Sequence, residues 1–180
     1  MGGHRRGHGA LHPRHALQRA RRVSWATEES GLLLAISVKT INFRDMQSKN
    51  FQKNLTNRRS DMLMEAVTLH RRFPFAVLAG LLILDHQAAQ DHTQTRRSTF
   101  ENAHSRFRLF AGRDDPADRD EQFERLWLML VHANPFQPQS TVYNVGDHTN
   151  TLNLGDAFDD LIGLVATRNP TSTRSSKASS

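Results

Sequence analysis

The stretch LLLAISVKTINF, Leu32 to Phe43, is an apolar run that ends at one charged residue, Lys39. The turn signal TEESG precedes the run. An apolar run of this length predicts a strand over Leu32–Thr40 that is buried on both faces. Lys39 is then either a strand-end charge that reaches for water or a placed catalytic group, and this stretch alone leaves both interpretations open.

A helix and a second strand are predicted to follow the first strand. The helix covers Ser60–Arg72, with Ser60 as its N-cap and Pro74 after its end. The segment FAVLAGLLIL, Phe75–Leu84, predicts a second buried strand. Because a strand, a helix and a strand with short connections form a parallel crossover, we expect an α/β protein with a mixed central sheet flanked by helices.

Further elements are predicted on both sides of this unit. Trp25 and Trp127 are expected to fill the core, and His70 is expected to pack on the apolar face of its helix. The remaining predicted elements are a short strand over Val23–Ala26, a helix over Thr99–Phe110, a helix or strand over Glu121–Val131, a strand over Thr141–Val145 and a closing helix over Gly155–Ala166.

The positive charge of the chain belongs to its ends. The 180 residues carry a net charge of +6, from 24 basic and 18 acidic residues. Residues 1–22 and 168–180 hold nine of the basic residues and no acidic one, so residues 23–167 carry a net charge of −3. We therefore predict a disordered, basic, His/Arg-rich leader over 1–22, one α/β domain over 23–167 and a disordered tail over 168–180.

Composition also excludes several classes of site. The chain has no cysteine, which rules out disulfides and cysteine-based zinc sites and is compatible with the cytoplasm, where we expect the protein. Its longest apolar run has half the length that crosses a bilayer, so we expect no membrane association. His4, His8 and His12 repeat at a spacing suited to metal ligands on a helix, but the glycines around them oppose that helix.

One internal segment is strongly basic. Between Lys39 and Arg72 the chain has eight basic and three acidic residues. Such a charge run is often only a solvated face, but arginine, lysine and asparagine also contact phosphates and base edges. The residues expected to contact DNA are Arg44, Lys49, Lys53, Asn57, Arg58 and Arg59.

The triplet Ser37-Val38-Lys39, followed by the helical segment NLTNRRSDMLMEAVTLHRRFP, resembles the PD-(D/E)XK nucleases over about residues 23–85. That family usually has an aspartate on one hairpin strand and Glu/Asp-x-Lys on the next strand. Some type II restriction enzymes have Ser-x-Lys instead and take the missing acid from the following helix. The resemblance implies a restriction-endonuclease-like fold and Mg²⁺- or Mn²⁺-dependent hydrolysis of double-stranded DNA, by a homodimer where the cut site is palindromic.

The resemblance also implies a role for each matching residue. Glu65 would be the acid from the helix and would hold the metal, Lys39 would position the attacking water, and Ser37 would stand in the place of the strand acid. The spacing from Lys39 to Glu65 is longer than in the enzymes that this sequence resembles.

The aspartate of the first hairpin strand has no counterpart, because Ser24 occupies its place. Glu28 and Glu29 are the nearest acids, and they are the remaining candidate metal ligands. The chain is accordingly interpreted as a truncated or degraded endonuclease. The alternative is a catalytically inactive DNA-binding or assembly module that keeps the fold.

The loop GRDDPADRD, residues 112–120, is a further candidate through five of its six charged residues. It could be a carboxylate-rich metal loop, but its spacing does not fit a calcium-binding EF-hand, and a solvated loop is the favoured interpretation. The five residues are Arg113, Asp114, Asp115, Asp118 and Asp120.

Overall fold

A computed structural model describes residues 31–170 of the chain. In this part of the chain, a five-stranded mixed sheet is flanked by three α-helices. In chain order the elements are β1 (Leu34–Ile41), α1 (Leu55–Arg72), β2 (Val77–Asp85), α2 (Thr99–Phe107), β3 (Arg125–His132), β4 (Gln139–Asn144), β5 (Thr151–Leu152) and α3 (Leu154–Arg168).

The five strands lie in the sheet in the order in which they occur in the chain. β1 pairs with β2, and β2 with β3, in the parallel direction, whereas β3, β4 and β5 are antiparallel neighbours. Parallel neighbours need a crossover, and α1 provides it between β1 and β2. The predicted mixed α/β sheet with flanking helices is therefore confirmed.

The helices cover the two faces of the sheet. α1 and α2 pack on one face, where Met62 and Phe107 belong to the same buried cluster as Leu82 of β2. α3 packs on the other face, where Leu161 belongs to the same buried cluster as Trp127. Trp127 is 2% exposed, as predicted for a core residue.

The first strand is less buried than its sequence predicts. Ile36 and Val38 are 40% and 50% exposed, so the prediction that both faces of this strand are buried is wrong. In the described residues β1 has a neighbour on one side only, and the cluster around α3 reaches β1 only at Leu34. The prediction holds for β2, which lies between two strands and under helices on both faces.

The first helix begins earlier than predicted. It starts at Leu55 and its N-cap is Asn54, so the expected N-cap Ser60 is an exposed residue inside the helix. The buried residues Leu55, Met62 and Ala66 continue one apolar face toward the N-terminus, and burial of Leu55 extends the helix over the basic segment. The end before Pro74 is as predicted.

The helix α2, the strand β4 and the helix α3 match their predictions in type, whereas β5 was not predicted. α2 begins with a capping box in which Ser98 and Glu101 bond each other's backbone N–H groups. The ambiguous segment from Glu121 is a strand, β3, and the predicted strand and closing helix near the C-terminus are β4 and α3. No helix in the described part is long and apolar enough to cross a membrane. The predicted strand Val23–Ala26, the leader and residues 171–180 lie outside the described residues.

A buried ionic cluster joins both helical layers behind the edge where β2 and β3 begin. The carboxylate of Glu124 accepts hydrogen bonds from Arg113 (3.0 Å) and from Arg168, and its other oxygen accepts from the backbone N–H of Leu78 (2.7 Å). His70 lies 3.3 Å from the same carboxylate and is 1% exposed, as predicted for a packed histidine. Burial by itself would raise the pKa of Glu124. The hydrogen bonds from His70 and Arg168 act in the opposite direction and outweigh burial, so the pKa is lowered to about 2.

This cluster changes two interpretations from the sequence. Arg113 is fully buried, so it is not part of a solvated loop. Arg168 was assigned to the tail, but it is the last residue of α3, and its side chain is 5% exposed. Glu124 pairs with both guanidinium groups, and backbone carbonyl oxygens accept further hydrogen bonds from them, so both cations keep partners although they are buried.

Gly80 allows α1 to lie close to the sheet, and we expect Gly80→Ala to lower the free energy of unfolding by about 1–3 kcal/mol. A Cβ at this position would stand 2.6 Å from Met62 Cε and would also contact Leu126. Gly163→Ala on α3 is the matched control, because nothing lies near its Cβ and alanine favours a helix. Urea unfolding of both variants tests this, and an unchanged midpoint for Gly80→Ala would contradict it.

Candidate active site

Two of the predicted catalytic side chains share one face of β1. Ser37 and Lys39 are two residues apart on a strand, so both side chains point toward the same side of the sheet. In register they lie beside Gly80 and Leu82 of β2. Since Leu82 belongs to the core under α1, both side chains are directed toward α1.

The third predicted catalytic residue meets them from α1. Glu65 lies beside the buried residue Ala66, at the flank of the apolar face of the helix. Its carboxylate accepts one hydrogen bond from the Ser37 hydroxyl and one from the Lys39 ammonium group. The structure therefore brings Ser37, Lys39 and Glu65 into direct contact, although 26 residues separate Lys39 from Glu65.

The cluster is partly open to solvent. The side chain of Lys39 is 20% exposed and that of Glu65 is 40% exposed. Partial burial strengthens the attraction between the ammonium group and the carboxylate, while the open side leaves both within reach of a substrate. The cluster lies toward the carboxyl end of β1, and open α/β sheets bind ligands outside the carboxyl ends of their strands.

The Glu65 carboxylate is the group in this cluster that could serve as a ligand for a hard divalent cation. A carboxylate has about four lone-pair sites, so the two hydrogen bonds that Glu65 accepts leave it capacity for a metal. Mg²⁺ is commonly held by one or two carboxylates together with waters and substrate phosphates. Within residues 31–170 no group of three or more His, Asp or Glu side chains is placed to hold a metal. The other predicted ligands, Glu28 and Glu29, lie outside the described residues.

The predicted DNA-binding residues lie on the β1–α1 loop and the first turns of α1. Arg58 contacts the strand beside the cluster, because its Nε donates to the carbonyl of Thr40, the residue after Lys39 (3.2 Å). Its guanidinium also pairs with Asp61 at 3.3 Å. Asn57 is exposed on the same helix.

The other predicted basic residues are also on the surface. Lys53 pairs with Asp45 at 3.1 Å, and the Nε of Arg44 donates to the carbonyl of Lys49. Arg59 lies over the ring of Phe110, 5.2 Å from its centre. These contacts are exposed, and exposed ion pairs are weak enough to exchange for phosphate contacts.

One basic residue near this surface was missed from the sequence. Arg106 on α2 donates to the hydroxyl of Thr56 on α1 (3.3 Å), so it adds a positive charge beside the basic segment. The two residues are 50 positions apart in the chain. No local pattern in the sequence indicates this proximity, since it depends on how α1 and α2 pack.

The acidic loop has the geometry of a turn. The Asp118 carboxylate accepts hydrogen bonds from the backbone N–H groups of Asp114 (3.2 Å) and Asp115 (2.9 Å). These backbone bonds lower the pKa of Asp118. The Asp118 carboxylate thus stabilises the loop itself, as expected for the aspartates of a solvated loop.

Comparisons with protein-family models, curated proteins and solved structures found no match to this chain. The function is therefore inferred from the side chains themselves. The strongest feature is the contact of a lysine, a serine and a glutamate between β1 and α1, near the basic loop that follows β1.

Proposed function

We propose that this chain is a metal-dependent DNA endonuclease whose reaction centre is the contact of Ser37 and Lys39 with Glu65. That contact is the observation that supports the proposal, because it puts an ammonium group and a carboxylate at one point of the sheet edge. Phosphodiester hydrolysis needs a carboxylate for the metal and a cation near the scissile phosphate. These are also the three residues that the resemblance to PD-(D/E)XK nucleases assigns to catalysis.

Each side chain has a distinct role in this proposal. Glu65 would hold Mg²⁺ or Mn²⁺, which supplies an activated water and offsets phosphate charge when it is bound. Lys39 would donate a hydrogen bond to the attacking water and stabilise negative charge that develops on the phosphate. The Ser37 hydroxyl would orient the Glu65 carboxylate through its hydrogen bond, in the place where related enzymes carry an acid.

Double-stranded DNA is the proposed substrate because exposed cations continue from the cluster along the loop and α1. If each of five basic side chains neutralises one phosphate, the logarithm of the binding constant should fall with the logarithm of salt concentration at a slope of about −4 to −5. Fluorescence anisotropy of a labelled duplex in metal-free buffer measures this slope. A flat salt response would contradict the phosphate contacts. The five side chains are Arg44, Lys49, Lys53, Arg58 and Arg59.

Nicking of supercoiled plasmid tests the reaction itself. The purified full-length chain is incubated with plasmid and Mg²⁺ or Mn²⁺, beside EDTA and the Lys39→Ala variant. Cleavage that requires the metal and is lost in Lys39→Ala supports the endonuclease. Cleavage that persists in Lys39→Ala contradicts the assigned centre.

A DNA-binding or assembly module without chemistry is the second candidate. The observation that favours it is that the charge of Glu65 is already balanced by Lys39 within the cluster. Salt-dependent DNA binding without nicking, in either metal, would support this candidate over the enzyme. For both candidates we propose a cytoplasmic protein that acts on DNA, and for the enzyme a homodimer at palindromic sites.

A further inference from the structure

The loop between β1 and α1 carries two large apolar side chains into solvent. Phe43 is 81% exposed and Met46 is 80% exposed. A single exposed apolar residue is ordinary on a protein surface. Here two of them lie three residues apart, on the segment that leads from Lys39 to the basic part of α1.

The loop that carries them is held by its own hydrogen bonds. The Asp45 carboxylate accepts from the backbone N–H groups of Gln47 (3.0 Å) and Ser48 (2.8 Å) and pairs with Lys53. The backbone N–H of Asp45 donates to the carbonyl of Asn50 at 2.8 Å, which closes the loop. These bonds keep the loop from folding its apolar side chains back onto the protein.

Both ends of the loop are anchored in the core. Ile41 and Phe51 are each 2% exposed, and the backbone N–H of Phe51 donates to the buried carboxylate of Asp91 (3.1 Å). Lys49 adopts a left-handed backbone with φ of 54°, so the turn keeps an unfavourable conformation for a residue with a side chain. A constrained loop presents Phe43 and Met46 at little further entropy cost on binding.

Two exposed cations lie on the same loop as these apolar side chains. Arg44 is the direct neighbour of Phe43, and Lys49 is also exposed on the loop. Apolar or aromatic side chains among cations are typical of protein surfaces that bind nucleic acids. There the cations contact phosphates, and the apolar groups stack on bases or separate them. A purely apolar partner surface would leave these charges without counter-ions.

We propose that Phe43 and Met46 form a wedge that inserts between base pairs of duplex DNA bound to the basic surface. The inference rests on the proposed function, because it takes DNA as the ligand. It adds a way to deform the duplex next to the Lys39 cluster. Unstacking of a base step lets the phosphate backbone bend toward the protein.

A duplex that contains 2-aminopurine tests the wedge, because the fluorescence of this base rises when it is unstacked. The wild-type chain is expected to increase the fluorescence, and Phe43→Ala is expected to remove the increase and to weaken binding about tenfold. Phe136→Ala is the matched control, since Phe136 is 95% exposed on the β3–β4 connection. Met46→Ala is expected to have a smaller effect in the same direction.

The outcomes separate this inference from the function on which it rests. Unchanged affinity and fluorescence in Phe43→Ala, with salt-dependent binding and metal-dependent nicking intact, overturn the wedge alone. Absence of DNA binding by the wild-type chain overturns both proposals. Equal losses in Phe43→Ala and Phe136→Ala also overturn the wedge, because they indicate that any exposed phenylalanine has the same effect.

Discussion

Glu124→Ala is expected to lower the free energy of unfolding by about 3–5 kcal/mol. The substitution leaves the guanidinium groups of Arg113 and Arg168 buried without their carboxylate. It also leaves the backbone N–H of Leu78 without the acceptor that it has at 2.7 Å. Removal of one partner of a buried ion pair costs much more than the pair contributes, because the remaining charge stays desolvated.

Urea unfolding followed by circular dichroism measures this effect. Glu121→Ala is the matched control. Glu121 lies three residues away, and its ion pair with Arg119 is more exposed than the pair of Glu124 with Arg113. Its free energy of unfolding should change by no more than about 1 kcal/mol. A loss below about 1 kcal/mol in Glu124→Ala would show that the buried cluster does not hold the layers together.

The wild-type protein gives an independent measure if Glu124→Ala does not fold. The pKa of Glu124 is lowered from 4.5 to about 2, so its contribution is fully present above pH 4.5 and is lost as the pH falls toward 2. We expect about 3 kcal/mol of stability to be lost in this window because of this one group. Glu124→Gln should show a smaller loss over the same window. An equal loss in both proteins would assign the acid sensitivity to other groups.

Glu65→Gln is expected to reduce the rate of metal-dependent plasmid nicking by at least about 100-fold. Glutamine keeps the shape of the side chain but lacks the negative charge that the proposed metal requires. It also no longer holds the Lys39 ammonium group by charge. Lys39→Ala should cause a loss of similar size, because both side chains belong to one reaction centre.

The same substitution should change stability very little. Glu65 is 40% exposed, and ion pairs of this exposure contribute about 0–1 kcal/mol. Asp61→Asn is the matched control, since Asp61 lies one turn earlier on α1 and pairs with Arg58. It should leave nicking within a few-fold of the wild type. Equal rates in Glu65→Gln and the wild type would remove Glu65 from the mechanism, and a large loss of stability would make it a structural residue.

The two long apolar runs show which features of a strand its sequence predicts and which it does not. FAVLAGLLIL was predicted as a buried strand, and β2 is that strand, buried between two neighbours. LLLAISVKT has the same character, yet Ile36 and Val38 of β1 are substantially exposed. Apolar content identifies a strand, but burial of its faces depends on neighbouring elements that lie elsewhere in the chain.

The helix between them shows the same limit. The sequence predicts α1 and its end before Pro74, but not its start, which tertiary burial of Leu55 places before Ser60. The contact of Lys39 with Glu65 was expected from the family resemblance. Their spacing alone does not specify it, since a loop of variable length separates a strand from its helix.

The sequence by itself determined the unit of β1, α1 and β2, its parallel crossover and the position of the basic segment. These follow from local periodicity and from charge density, which need only neighbouring residues. Only the tertiary structure decided that Arg113 and Arg168 share Glu124, and that Phe43 and Met46 remain in solvent. Such contacts depend on which surfaces meet after the chain folds, and a charge becomes buried only where a distant partner reaches it.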